Sequence, residues 1–280
     1  MLLAREFFET AAERVMIRDR RAAGEPPPWT GDPVFQHYRF CNLFREDDKT
    51  TVWFRDNIRN PLATRPAFDL VLATLTFRWF NRIETAELIK DLLLGTWNED
   101  EARRRLRGVQ PIVTGAYMVH TPPGMDKLEG ILYYVGSAIP RLRDMELSWS
   151  TLQECHADLL PLEGMGRFTA YEVVTDLRWT WLLRNASDIM TWASAGPGCA
   201  RGIGWVFQND PTVFNYTAQR DQEIMQEPMR ELLAMSRDSA WWPQEFGAWE
   251  MREVEHWACE FDKYKRGVMG GRLKRTFSPR

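Results

Sequence analysis

Apolar residues recur three and four positions apart along most of this chain and rarely alternate with period two. That pattern predicts helices and almost no strand. Residues 2–21 place Leu3, Phe7, Ala11 and Val15 four apart, which predicts an amphipathic helix. The stretch 23–33, AGEPPPWTGDP, is a rigid proline-rich break after it. Further helices are predicted over 34–57, 68–80, 85–94, 99–107, 127–142, 147–159, 167–177, 219–236 and 249–264. Asn98 is the expected N-cap of the 99–107 helix, and Thr121-Pro122-Pro123-Gly124 reads as a turn. There is no internal repeat. The expected fold class is all-α.

With 280 residues, 44% of them hydrophobic, the chain can bury a sizeable core in one large domain or two small ones. Thirteen Trp and fifteen Phe suit a core, and some could serve as platforms for bases. A net charge of −3 excludes a uniformly basic nucleic-acid binder, so basic charge must act locally. It concentrates in residues 263–280, which hold seven Lys or Arg and no acid. That run is either a solvated tail or a phosphate contact. The four cysteines are scattered with no CxxC, and Cys155-His156 are too close in sequence to chelate well, so no metal site is expected. Cysteine usage fits a reducing, cytoplasmic setting. The charged N-terminus lacks a signal-peptide core, and no apolar run approaches a membrane span.

Three constellations carry candidate chemistry. In the first, Arg39, Asn42, Arg45 and Glu46 share a face if residues 34–57 are helical. Such a face could hold a carboxylate or phosphate in guanidinium forks, or be a helix tied by Arg–Glu pairs. In the second, the glycine hairpin Gly164-Met165-Gly166 leads into the 167–177 helix, with a lone acid, Asp188, and Gly196-Pro197-Gly198 following. Amides at a glycine turn before a helix form a site for phosphate. Asp188 could equally cap a helix starting at Ile189, and the glycine-proline segment, with Arg201 behind it, reads as a pyrophosphate cradle or a plain turn. In the third, Glu255, Cys259 and Asp262 stack on one helix face and His256 meets Glu260, an arrangement that also suits a surface ion-pair network.

The hairpin resembles the helix-hairpin-helix motif of the base-excision DNA glycosylase superfamily, with Leu162, Gly164, Met165, Gly166, Thr169 and Ala170 in the motif positions and Asp188 near the spacing of the catalytic aspartate. Where strand-cutting members carry lysine, this chain has Phe168. More narrowly, the chain resembles the alpha-glutamyl/putrescinyl thymine pyrophosphorylase family, related to helical domains associated with 5-hydroxymethyluracil DNA kinases. This resemblance rests on Arg39-Phe40-Cys41-Asn42-x-Phe44-Arg45-Glu46-x-Asp48, on residues 164–177, on Asp188 with Gly196-Pro197-Gly198-x-x-Arg201-Gly202, and on Cys259-Glu260-Phe261-Asp262-Lys263-Tyr264.

What the resemblance implies is a helix-hairpin-helix, glycosylase-like helical fold over 31–266, in one or two lobes. An N-terminal helix and linker (1–30) would precede it and a basic tail (267–280) follow it. The implied activity is DNA base hypermodification in a phage or bacterial cell. A partner kinase would phosphorylate 5-hydroxymethyluracil in DNA, and this transferase would displace phosphate or pyrophosphate with an amino acid or polyamine, on a flipped-out base. Asp188 would be catalytic. Arg39, Asn42, Arg45, Glu46 and Arg201 would bind substrate or leaving group. Gly164, Gly166, Arg167, Thr169, Gly196, Gly198, Lys263 and Arg266 would face DNA. No cofactor is expected beyond a monovalent cation at the hairpin. The alternatives are a monofunctional DNA glycosylase and a non-catalytic helical DNA-binding partner of a kinase.

Overall fold

A computed structural model describes residues 3–114, 119–271, 273, 276 and 277. The fold is all-α, and among the described residues the β-structure is an isolated bridge between Tyr38 and Thr276. The helices are α1 (Ala4–Ala22), α2 (Pro33–His37), α3 (Lys49–Phe54), α4 (Ala67–Phe80), α5 (Ile83–Leu88), α6 (Lys90–Leu94), α7 (Glu99–Leu106), α8 (Lys127–Asp144), α9 (Leu152–Leu159), α10 (Arg167–Leu177), α11 (Pro197–Gln208), α12 (Gln219–Met235) and α13 (Met251–Val268). They form two compact units: residues 1–48 with 189–280, and residues 49–188.

In the first unit α11 lies against α13, and small residues allow the close approach. A Cβ on Gly198 would collide with Cys259, and one on Gly202 with the Ala258 carbonyl. The N-terminal helix belongs to this unit's core rather than standing apart. Phe7 packs edge-on to Phe8 and Phe261, and its carbonyl accepts the indole N–H of Trp257 at 2.9 Å. The basic tail begins within α13, on which Lys263, Lys265 and Arg266 lie; Arg272, Lys274, Arg275 and Arg280 fall outside the described residues.

The second unit is built around α4. Every residue from Leu70 to Phe80 is buried, as expected for a helix apolar on all sides that neighbours enclose. Its one charge in that stretch, Arg78, is answered by Asp176 of α10. Arg78 Nη2 donates to Asp176 Oδ1 at 2.7 Å, Nε donates to Oδ2, and Nη1 donates to Asn81 Oδ1 at 2.9 Å. Both residues of the pair are buried. A guanidinium fork on a carboxylate satisfies most of the polar groups that burial would otherwise leave unpaired.

Four expectations from periodicity change. Residues 34–57 are not one helix: α2 ends at His37, residues 38–44 are irregular, a 3-10 turn spans Arg45–Asp47, and α3 begins at Lys49. Asn42 explains part of this, since its side chain bonds the local backbone and offers the chain an alternative to a helical ladder. Residues 85–94 divide into α5 and α6 at Ile89. The 147–159 helix starts only at Leu152, where Thr151 and Glu154 form a capping box. The Gly196-Pro197-Gly198 segment, where glycine and proline suggest a turn, instead opens α11, with Pro197 in the first helical turn, where no partner exists for the N–H it lacks. Asn98 caps α7 as expected, accepting from Glu101 N at 3.0 Å.

Candidate functional site

The glycine turn joins α9 to α10, and its two glycines have different reasons to be there. Gly164 has φ +72°, and a Cβ would strike the Tyr134 ring, so conformation and packing both require glycine. Gly166 has φ −94°, which any residue adopts, and a Cβ there would meet no atom of the described residues within 4 Å. Nothing in the described fold explains its missing side chain. It is the N-cap of α10, which begins without a side-chain cap. Phe168 is exposed on the first turn, Arg167 and Thr169 are half-buried, and Met165 and Leu162 are buried beneath. His156 of α9 ties the turn together: its Nε2 lies 3.0 Å from the Arg167 carbonyl, and a carbonyl only accepts, so Nε2 carries the proton. Burial holds this imidazole below its ordinary value.

Asp188 does not start a helix at Ile189, since residues 189–191 form a turn. It reaches instead to α9. Its Oδ1 accepts from Leu152 N at 2.6 Å and its Oδ2 from Gln153 N at 3.0 Å. A carboxylate across two first-turn amides answers both the unpaired donors and the helix dipole. The cap reading of the sequence therefore holds in kind but for a different helix, whose first residue lies 36 positions earlier in the chain.

In the first unit Asn42 organises the 39–48 loop instead of presenting its amide outward. Its Oδ1 accepts from Arg14 Nη2 at 2.5 Å, and its Nδ2 donates to the Asp47 carbonyl at 2.9 Å. Its backbone N–H donates to Asp48 Oδ1 at 3.1 Å, and its carbonyl accepts His256 Nε2 at 3.0 Å. Each of these polar groups has a partner within this unit, which commits Asn42 to organising the loop. Because the segment is not helical, Arg39, Asn42, Arg45 and Glu46 form no single stripe: Arg39 is exposed, Arg45 is buried and Glu46 is half-buried. Arg14, a buried cation that periodicity places in an ordinary amphipathic helix, is a partner that no sequence signal marks.

The loop brings together a group that spacing hides. One ligand atom each from Cys41, Asp48 and His256 lies within 4.8 Å of the others. The Cys41 N–H donates to Glu260 Oε2 at 3.0 Å, and that carboxylate pushes the Cys41 thiol up. His256, expected to meet Glu260 one helical turn away, bonds instead to a loop more than two hundred residues earlier in the chain.

Glycine-proline residues 196–198 do not form an open cradle. The Gly196 N–H donates to Glu255 Oε1 at 3.2 Å, and Gly198 is buried against Cys259. Arg201 does present cationic surface. Its Nε and that of Arg266 both donate to Asp262 Oδ2, at 3.0 and 3.2 Å, while both side chains stay half exposed. Asp262 itself is buried, its Oδ1 without a partner among the described residues. Lys263 is occupied differently, paired with Glu260 at 3.2 Å and lying over the Phe40 ring.

The second unit also holds a cavity of about 260 Å³ between α4, α6 and α8, whose lining includes Arg65, Phe68, Thr76, Trp97 and Arg143. The Thr76 hydroxyl and Trp97 indole N–H are buried there without partners among the described residues. No sequence pattern marks this cavity, whose walls combine residues 65–97 with Ile139 and Arg143 of α8.

A family model described as the 5-hmdU DNA kinase helical domain matches residues 2–271. The chain belongs to that family. The match takes in the glycine turn, Asp188, the 39–48 loop and α13. Among curated proteins, the chain is 27% identical over 300 aligned residues to a 5-hmdU DNA kinase of Bacillus phage SP10, across 92% of this chain and 44% of that one. The chain therefore spans less than half the length of that relative. No solved structure matches. Among the described residues, no helix is long and apolar enough to cross a membrane.

Proposed function

We propose that this chain acts in hypermodification of 5-hydroxymethyluracil in DNA, as a transferase that replaces a phosphate or pyrophosphate on the exocyclic carbon with an amino acid or polyamine. Family membership supports the base. The single observation that carries DNA contact is Gly166, a glycine that neither conformation nor packing requires, standing at an uncapped helix start. The 280 residues contain no GxxxxGK[ST] phosphate loop, so the step assigned here follows phosphorylation by a kinase domain or partner rather than performing it. On a flipped base, loss of the leaving group develops cationic character at the exocyclic carbon, which a carboxylate such as Asp188 would stabilise, or it would deprotonate the nucleophile. In the first unit, taken by itself, Arg201 and Arg266 are braced on one buried carboxylate and present cationic groups suited to a phosphate. The second unit's cavity, with two buried donors and two arginines in its lining, suits the carboxylate of an amino-acid nucleophile.

A second reading is favoured by the position of Asp188 on the α9 amides: a non-catalytic helical DNA-binding partner of the kinase. The discriminating experiment is nucleoside mass spectrometry of 5-hydroxymethyluracil DNA incubated with a cognate kinase, this protein, and amino acids and polyamines. A new thymine adduct supports the transferase and gives the nucleophile by mass. Released base with abasic sites would establish a glycosylase instead, and unmodified but bound DNA would leave the partner role. Asp188→Asn separates the two roles of that residue. The amide keeps one of the two acceptors and sets its NH2 against the other N–H, so stability should fall by about 1–2 kcal/mol, while adduct formation should be lost. Full activity in this variant would end the catalytic assignment.

A further inference from the structure

The geometry points to a divalent-metal site in the first unit, formed by Cys41, Asp48 and His256 and suited to zinc. The three residues come from a loop, the residue just before α3, and α13, and their ligand atoms already lie within 4.8 Å of one another. Tetrahedral zinc, with bonds of about 2.0–2.3 Å, holds its ligand atoms roughly 3.3–3.8 Å apart. The cluster needs a closure of about 1 Å to reach that spacing, within the range of side-chain torsions at an exposed cysteine.

The stronger argument is how the candidate ligands are held. A histidine that binds metal usually donates its other ring N–H to a carbonyl or carboxylate, which fixes tautomer and ring orientation. Here His256 Nε2 donates to the Asn42 carbonyl at 3.0 Å, leaving Nδ1 with the lone pair. A ligating carboxylate is likewise hydrogen-bonded through one oxygen, and Asp48 Oδ1 accepts the Asn42 N–H at 3.1 Å. The backbone of Cys41 is anchored by Glu260. One residue, Asn42, therefore orients two of the three ligands and is itself fixed by Arg14 and the Asp47 carbonyl. The bonds by which Asn42 and Arg14 organise the loop thus also position the ligands.

The donor set selects the ion. Sulfur, imidazole nitrogen and one carboxylate oxygen are the ligands of zinc, whereas magnesium and calcium take oxygen. Three protein ligands leave the fourth tetrahedral position for water or another oxygen, as at zinc sites with three protein ligands.

The test uses the full chain and does not depend on its activity. After equilibration with zinc and removal of excess ion, elemental analysis should find about one zinc per chain, and cobalt loading should produce a thiolate-to-metal absorption band. Cys41→Ser should abolish that band and weaken zinc binding at least tenfold, as should His256→Ala. Asn42→Ala, which leaves every ligand in place, should weaken it roughly 10–100-fold. The helical circular dichroism of Cys41→Ser should match the parent, since Cys41 is exposed. Two results would overturn the site: no stoichiometric zinc in the parent, or a cobalt–thiolate band and zinc affinity unchanged by Cys41→Ser.

Discussion

The two glycines of the α9–α10 turn show that residues of one type, two positions apart, can answer to different constraints. Gly164 combines a positive φ with a neighbouring ring where its side chain would be. Gly164→Ala should cost roughly 2–4 kcal/mol from backbone strain and overpacking together. Gly166→Ala should stay within about 0.5 kcal/mol, as an exposed change in ordinary backbone does. Urea denaturation of the pair measures both. A similar destabilisation in the two variants would show that Gly166 is also held by the fold, and would remove the reason for assigning it to DNA. The motif is legible in the sequence, but the division of labour within it is not, because the positive φ of Gly164 and the Tyr134 ring, thirty residues away, are settled only in the fold. Asn42 shows the reverse. Its residue type suggests recognition, and the structure engages all its hydrogen-bonding groups internally.

At the scale of elements, the α9–α10 pair is secured by two buried polar devices on α10 and α9. Asp176 holds α10 to Arg78 of α4. Asp176→Asn leaves a guanidinium buried without its counter-charge and should destabilise the protein by about 3–5 kcal/mol, read from the urea midpoint. His156 links the two helices of the turn through the Arg167 carbonyl. Its folded pKa is depressed below the ordinary 6.5, so the unfolded chain binds its proton more readily. The stability it contributes is intact above about pH 6.5 and is lost as pH falls from there through the folded value. The melting temperature should therefore drop between pH 7.5 and 5.5, and drop less in His156→Gln. An identical pH dependence in the two proteins would show that other groups dominate. The period-3.6 pattern locates α1, α4, α7, α8, α10, α12 and α13 well. It fails over 34–57, where local side-chain bonds compete with helix, and over α11, where glycine and proline signal a turn but pack as a helix.

At the scale of the whole molecule, the chain forms two units, with 49–188 interrupting the first unit in sequence. No single basic face follows from a net charge of −3, so the proposed DNA contact must rest on local groups. Removing residues 270–280 deletes four Lys or Arg. It should lower DNA affinity and flatten the dependence of log K on log salt by about 0.9 for each phosphate that these side chains neutralise. An unchanged slope would leave that segment without a DNA role.

Composition and periodicity by themselves determined the all-α class, most helix positions and the presence of the glycine turn, because each is written in residues close together in the chain. The motif pattern likewise determined the family. Tertiary structure decided what those residues do. It set Asp188 on the amides of α9, closed the 196–198 segment against α13, and buried Arg78 with Asp176. It also gathered Cys41, Asp48 and His256 from positions up to 215 residues apart. Such convergences leave no local signal, since the energy that creates them lies in packing and hydrogen bonds between segments the sequence keeps far apart.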